Sequence, residues 1–271
     1  MKLSVAIAGE EALDSAFVVW RGFESSMRRA AEYGYDGVEL ALKHADEIQP
    51  ERLRALLEQY HLEVSCISTG QVFADTGLYF TDPDPERRKA VARVFEGLIA
   101  LAADFGGMVN LGRVRGRIEA GETEEQTRER FFETLRPVAR LAGSCGVTLL
   151  IEPVNRYEIN FINSVDEGAE LLEAFGMDGV GLMPDVYHMN IEDDHIGKSL
   201  IRNSKYVNYI HLADSNRLAP GWGHLDFKEV FDALHEIHYG GWGSVEILPK
   251  PDPDQAARQA VDYLRSYVRA V

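Results

Sequence analysis

Eight short runs of β-forming residues recur along the chain at a spacing of roughly 30–35 residues, the length of one strand-plus-helix unit. They are Leu3–Ala8, Gly37–Leu42, Glu63–Ser68, Met108–Gly112, Thr148–Glu152, Val180–Asp185, Val207–Asp214 and Gly243–Leu248. Stretches with helical periodicity separate them. Ser25–Tyr33 carries Met27, Ala30 and Ala31 on one face, and Glu86–Phe105 carries Val91, Val94, Phe95, Leu98 and Leu101. Thr123 with Gln126 three residues on predicts a capping box that opens a helix over Glu124–Ala142. Glycines stand where helices should stop before the next strand, at Gly34, Gly106, Gly146 and Gly240. Mostly apolar strands alternating with helices make a parallel sheet covered on both faces, and eight such units close on themselves. The expected fold is therefore α/β, a (β/α)8 TIM barrel, with residues 1–271 as a single domain and no Pro/Gly/Ser-rich linker. An open doubly wound sheet is the competing architecture. It would place a glycine-rich phosphate loop after the first strand, where VAIAGEE has one glycine.

Charge narrows the partners. Against 28 Lys and Arg stand 44 Asp and Glu, a formal net charge of −16, and such a surface repels phosphate backbones, which argues against nucleic-acid binding. No segment reaches the length of a membrane span, and the run Leu3–Ala8 is too short for a signal-peptide core. Cys66 and Cys145 are too few to staple a chain of 271 residues and form no CxxC pair. The expected setting is the reducing cytoplasm.

Barrel enzymes keep their sites on the loops that follow the strands. Two of these connections are long, Gly70–Pro85 and Asp214–Asp226. Four candidate metal ligands stand at the ends of the last four strands: Glu152, Asp185, His211 and Glu246, separated by 33, 26 and 35 residues. Strand alternation puts Leu150 with Glu152, Met183 with Asp185, Tyr209 with His211, and Ser244 with Glu246 on common faces. If that face is the inner one, three carboxylates and an imidazole meet at one spot, a donor set suited to a hard divalent cation. Any one of these carboxylates alone would ordinarily be a solvated strand end. Three of them with a histidine, in matching positions on consecutive strands, would leave costly unpaired charge without a cation. Glu158, His188 and Arg217 follow on the loops just above. After the fourth strand, Arg113, Arg115 and Arg117 fall within five residues. Such a group can be a fork for a substrate carboxylate or phosphate, or a turn tied down by Glu119 and Glu122. No GxSxG elbow and no Cys–His arrangement supports a nucleophilic mechanism.

The motifs IEPVNRYE, PDVYHMNIED, HLADSNRLAPGWGHLDF and SVEILP, with MKLSVAI, GYDGVEL and STGQ from the first half, make the chain resemble the xylose-isomerase-like sugar isomerase/epimerase superfamily. Within it the chain looks like the ketose 3-epimerase branch that includes D-tagatose 3-epimerase. STGQ, GRVRGR, GETEEQT, FINS and HMNIED are similar to the corresponding text of 5-keto-L-gluconate epimerases. The resemblance implies one divalent metal ion, Mn2+ first, with Mg2+, Co2+ or Zn2+ as alternatives, held by Glu152, Asp185, His211 and Glu246. It implies that Glu152 and Glu246 are also the two proton carriers, and that Glu158, His188 and Arg217 hold the ketose. The implied reaction inverts C3 of a ketose or keto-sugar acid, such as 5-keto-L-gluconate or D-tagaturonate, through a cis-enediolate. Arg113 stands where some members carry an aromatic residue over the sugar. With Arg115, it favours an acidic substrate.

Other readings remain open at this point. They are an aldose–ketose isomerase of the hydroxypyruvate isomerase kind, an inosose isomerase or dehydratase, an AP endonuclease, and a sugar-binding barrel without activity. The acidic surface argues against the endonuclease. The expected partners are a small sugar or sugar acid and further copies of the chain, as a dimer or tetramer. Leu218, Trp222 and Trp242 are candidate exposed apolar groups for such an interface or for a lid.

Overall fold

In the computed structural model, which describes residues 1–268, all eight anticipated strands form. They are β1 (Lys2–Ala8), β2 (Gly37–Ala41), β3 (Glu63–Ser68), β4 (Met108–Leu111), β5 (Thr148–Ile151), β6 (Val180–Leu182), β7 (Tyr209–His211) and β8 (Trp242–Val245). Every pairing among them is parallel. The order runs β6-β5-β4-β3-β2-β1-β8-β7, and bridges Leu182↔Val207 and Asp185↔His211 join the two ends. The barrel is thus closed, and two of the anticipated metal ligands make its last closing contact. A short extra strand, Trp20–Arg21, pairs with the end of β1.

Helices cover the outside where the periodicity places them. Phe23–Tyr33, Pro85–Asp104 and Glu124–Ser144 correspond to the three amphipathic stretches. The capping box is made in both directions, with Gln126 N donating to Thr123 Oγ1 at 3.2 Å and Thr123 N donating to Gln126 Oε1 at 2.9 Å. Gly34 closes the first of these helices at φ 84°, a conformation that a Cβ would strain.

Inside the barrel, alternate residues stack in layers. Cys66, Leu150, Met183 and Tyr209 pack together with Met108 and Trp242. Leu150, Met183 and Tyr209 share the faces assigned from the sequence to Glu152, Asp185 and His211. Trp242 is therefore no surface anchor. It is buried at the floor of the barrel, where an added Cβ on Gly37 would lie 2.8 Å from its ring. Leu218 and Trp222 are half-buried. Among the described residues no helix is long and apolar enough to cross a membrane.

One half-buried acid follows the helix Val186–Glu192, which carries His188. Asp193 accepts from Ser199 Oγ at 2.5 Å, and its other oxygen is buried without a partner. Burial pushes its pKa up to about 6. A raised carboxyl pKa means that the unfolded chain ionises first, so stability is lost as pH rises from about 4 through about 6. Asp193→Asn keeps an acceptor for Ser199 and removes the charge. Urea titrations are expected to show the variant more stable than the parent at pH 8, on the order of 1–3 kcal/mol. That gain should shrink as pH falls to 5, whereas a gain independent of pH would contradict this account.

Candidate active site

Four donors converge at the C-terminal mouth of the barrel. One ligand atom from each of Glu152, Asp185, His211 and Glu246 lies within 4.8 Å of the others. Glu152 and Glu246 stand just past the ends of β5 and β8, His211 ends β7, and Asp185 caps the helix that begins at Val186. His211 Nδ1 lies 3.0 Å from Glu152, 3.7 Å from Glu246 and 3.8 Å from Asp185. Gly112 leaves the space that Glu152 occupies, since a Cβ there would come within 2.9 Å of Oε2. Asn110 Nδ2 donates to the same oxygen at 3.2 Å, and Thr69 fixes the amide by donating its N–H to Asn110 Oδ1 at 2.8 Å.

The electrostatics fit a divalent cation. Glu39, Glu152, Asp185 and Glu246 carry four negative charges against the guanidinium of Arg217 and the imidazole of His211. Even with His211 protonated, two negative charges are left over in a site closed to solvent on most sides. Burial opposes ionisation of Asp185, yet Arg217, His188 and His211 hold its pKa at about 2. Burial likewise opposes a charged His211, and Glu39 and Glu152 outweigh it, carrying the pKa well above the ordinary value.

The three loop residues reach the same pocket. Glu158, His188 and Arg217 line it together with Glu152 and Glu246. Arg217 adopts φ 62° on the connection after β7 and pairs with both Asp185 and Glu246. The rings of Phe17 and Tyr187 each lie 4.9 Å from its guanidinium carbon. His188 accepts at Nδ1 from Asn155 Nδ2 at 2.7 Å, and Asn155 is oriented by Tyr157 N donating to its Oδ1 at 3.0 Å. The proton of a neutral His188 therefore sits on Nε2, 3.9 Å from Asp185. Burial keeps that ring below its ordinary pKa.

The arginine trio divides. Arg113 lines the pocket, with its guanidinium over the ring of Phe73 at 5.8 Å. Arg117 turns outward to Glu119 at 2.8 Å, and Glu122 pairs with Arg130 instead. Arg115, expected to contact substrate, is fully buried and does not line the pocket. It donates to the carbonyls of Phe161 (2.9 Å), Gly112 (2.9 Å) and Ile162 (2.7 Å). The short 3-10 turn Arg113–Arg115 sends successive side chains in different directions, and the inward one satisfies backbone.

Several contributors escaped the sequence analysis. The connection after β1 supplies Ser15, Ala16, Phe17 and Val18 to the pocket wall. Glu39 backs His211, and Asn110 and Asn155 orient Glu152 and His188. Glu39 alone left a signal: it is the one charged residue in a strand that reads GVELA.

The comparison with known families decides the affiliation: the model of the xylose isomerase-like TIM barrel matches residues 27–267. The chain belongs to that family. Among its relatives is an L-ribulose 3-epimerase from Methylomonas sp., 30% identical over 226 residues, which cover 81% of this chain and 76% of that protein. Another is a 3-dehydro-D-guloside 4-epimerase from Escherichia coli, 27% identical over 248 residues, 88% of this chain and 92% of the relative. The D-psicose 3-epimerase structure from Clostridium cellulolyticum superposes with a TM-score of 0.84 at 23% identity, covering 99% of both chains, and so shares the fold. The family member described here is an enzyme of the isomerase class, a sugar epimerase, and its His/Glu/Asp cluster can hold a divalent metal ion.

Proposed function

We propose that this xylose isomerase-like barrel inverts the carbon next to the ketone of a ketose or keto-sugar acid, with Glu152 and Glu246 moving the proton. The observation that carries the reading is a pair of carboxylates, from β5 and β8, reaching one pocket beside a cation donor set. The relatives fit a common chemistry. A ketose bears its ketone at C2 and is inverted at C3, and a 3-dehydro sugar bears it at C3 and is inverted at C4. In each case the reacting C–H neighbours a carbonyl.

Inversion requires a proton to leave one face of that carbon and a proton to return on the other. One carboxylate takes the first and the other, carrying a proton, delivers the second. A cation held by Glu152, Asp185, His211 and Glu246, Mn2+ first and Mg2+, Co2+ or Zn2+ otherwise, would supply Lewis acidity to the ketone oxygen. Glu158, neutral His188 and Arg217 grip the hydroxyls and carbonyl beside it, and Phe17 shields that end of the pocket from water. Incubation with a panel of ketoses in heavy water, read by NMR, tests this. The expected result is deuterium at the carbon next to the ketone together with its inverted configuration. Aldose formation without inversion would point to the isomerase reading instead.

Arg113 directs the substrate toward an acid. It lines the pocket after β4, the strand next to that of Glu152, where the far end of a six-carbon chain would meet it. A charge-assisted contact with a carboxylate contributes about 1.5–3 kcal/mol, roughly a 10- to 150-fold preference in kcat/KM if kept in the transition state. D-tagaturonate is therefore expected to outperform D-tagatose by that factor, and Arg113→Ala to remove the difference. Equal constants in the parent would make the substrate a neutral sugar.

A further inference from the structure

Glu39 is a buried charge that the reaction outlined above leaves without a task. It lies inside the barrel on β2, fully shielded from solvent. Its two oxygens stand 3.1 and 3.0 Å from His211 Nε2. Tyr209, two residues before His211 on β7, donates its hydroxyl to Glu39 Oε2 at 2.9 Å. That hydroxyl is in turn 2.7 Å from Ser65 Oγ and 3.2 Å from Ser4 Oγ. The carboxylate is therefore held on one side by a phenol backed by two serines and on the other by the imidazole. The opposite ring nitrogen, Nδ1, faces Glu152, Asp185 and Glu246.

A neutral imidazole carries one N–H and one lone pair, and the group opposite each nitrogen decides which is which. An ionised carboxylate only accepts, so a proton on Nε2 satisfies it, and the lone pair then falls on Nδ1. We propose that Glu39 is a positioning residue that holds His211 as the Nε2–H tautomer and so presents Nδ1 to a divalent cation. The contact also fixes the ring plane, since both carboxylate oxygens straddle the one N–H. This inference rests on the metal reading given above.

Zn2+ is a suitable probe because it is diamagnetic. In the Zn2+-loaded parent, 15N spectra of His211 are expected to show a metal-bound Nδ1 and a protonated Nε2. Glu39→Gln preserves the shape of the side chain and removes its charge. Competition against a chelating dye is expected to show Zn2+ affinity about 10- to 100-fold weaker in that variant. A merely structural Glu39 would lower the melting temperature of the metal-free protein and leave the Zn2+ affinity unchanged, which would overturn the proposal. So would ligation through Nε2 in the parent, a measurement that does not depend on whether the variant folds. A parent that takes up no Zn2+ would overturn the metal reading and this inference with it, whereas an unshifted affinity in Glu39→Gln overturns this inference alone.

Discussion

Glu246→Gln and Glu152→Gln are each expected to lower kcat by roughly a hundred- to ten-thousand-fold, the range for loss of a positioned proton carrier. The amide cannot take or return a proton at neutral pH, yet it has the shape of the acid and keeps one oxygen for a cation. Both positions belong to the donor cluster, so metal content must be measured on the same samples. At matched occupancy the residual loss belongs to proton transfer. The two variants should also differ in kind. Whichever residue removes the proton from a given epimer, its Gln variant stops deuterium uptake from that epimer. The partner variant can still exchange that proton without inverting the carbon. Near-normal turnover in either variant with metal retained would end the two-face mechanism. Treatment of the parent with a chelator should abolish activity, and restored divalent metal should recover it.

Arg115→Leu is expected to reduce unfolding stability by about 3–5 kcal/mol, as when one partner of a buried charge or hydrogen-bond network is removed. Arg115 sits in the barrel wall with each guanidinium nitrogen donating to a backbone carbonyl. Burial lowers its pKa to about 10, which leaves it charged at neutral pH, and the nearby charges of Glu152, Glu167 and Glu158 oppose that burial effect. Leucine would take a donor from each of three carbonyls in a water-poor space: those of Gly112 and Ile162 keep the backbone N–H groups of residue 115 and Val154, and that of Phe161 is left with none. It would also release the strained segment they hold: Ile162, β-branched, adopts φ 60°, and its carbonyl is one of the three. That segment closes the loop bearing Glu158, so KM should rise in any variant that still folds. Thermal melts should show a drop on the order of 10 °C. Arg115→Lys keeps the charge but cannot fork, and falls between leucine and the parent. A loss under about 1 kcal/mol would show that the carbonyls find other partners.

The barrel and its four donors were legible because both rest on local periodicities. Alternation within a strand and a repeat of one strand-plus-helix unit are written into any stretch of the chain. The pairs Leu150/Glu152, Met183/Asp185 and Tyr209/His211 put each donor on the same face as an apolar residue that does pack inside the barrel. Identical residue types on a turn carry no such signal. Arg113, Arg115 and Arg117 read alike, but one lines the pocket, one is buried in backbone and one pairs with Glu119. Trp242 looked like a loop residue and became the barrel floor, because β8 begins one residue earlier than the apolar run suggested.

The sequence by itself determined the strand–helix alternation, the closed parallel barrel, and the placement of Glu152, Asp185, His211 and Glu246 at one end of it. Hydrophobic period and unit length are properties of neighbouring residues, and they survive without knowledge of the rest of the chain. Only the tertiary structure decided what stands opposite each of those groups. Glu39 meets His211 across 172 positions of sequence, Asn110 meets Glu152, and Phe17 covers Arg217, because barrel closure sets how far each strand is staggered against the next. A contact between strands so far apart depends on the sum of those staggers, and no local pattern encodes that sum.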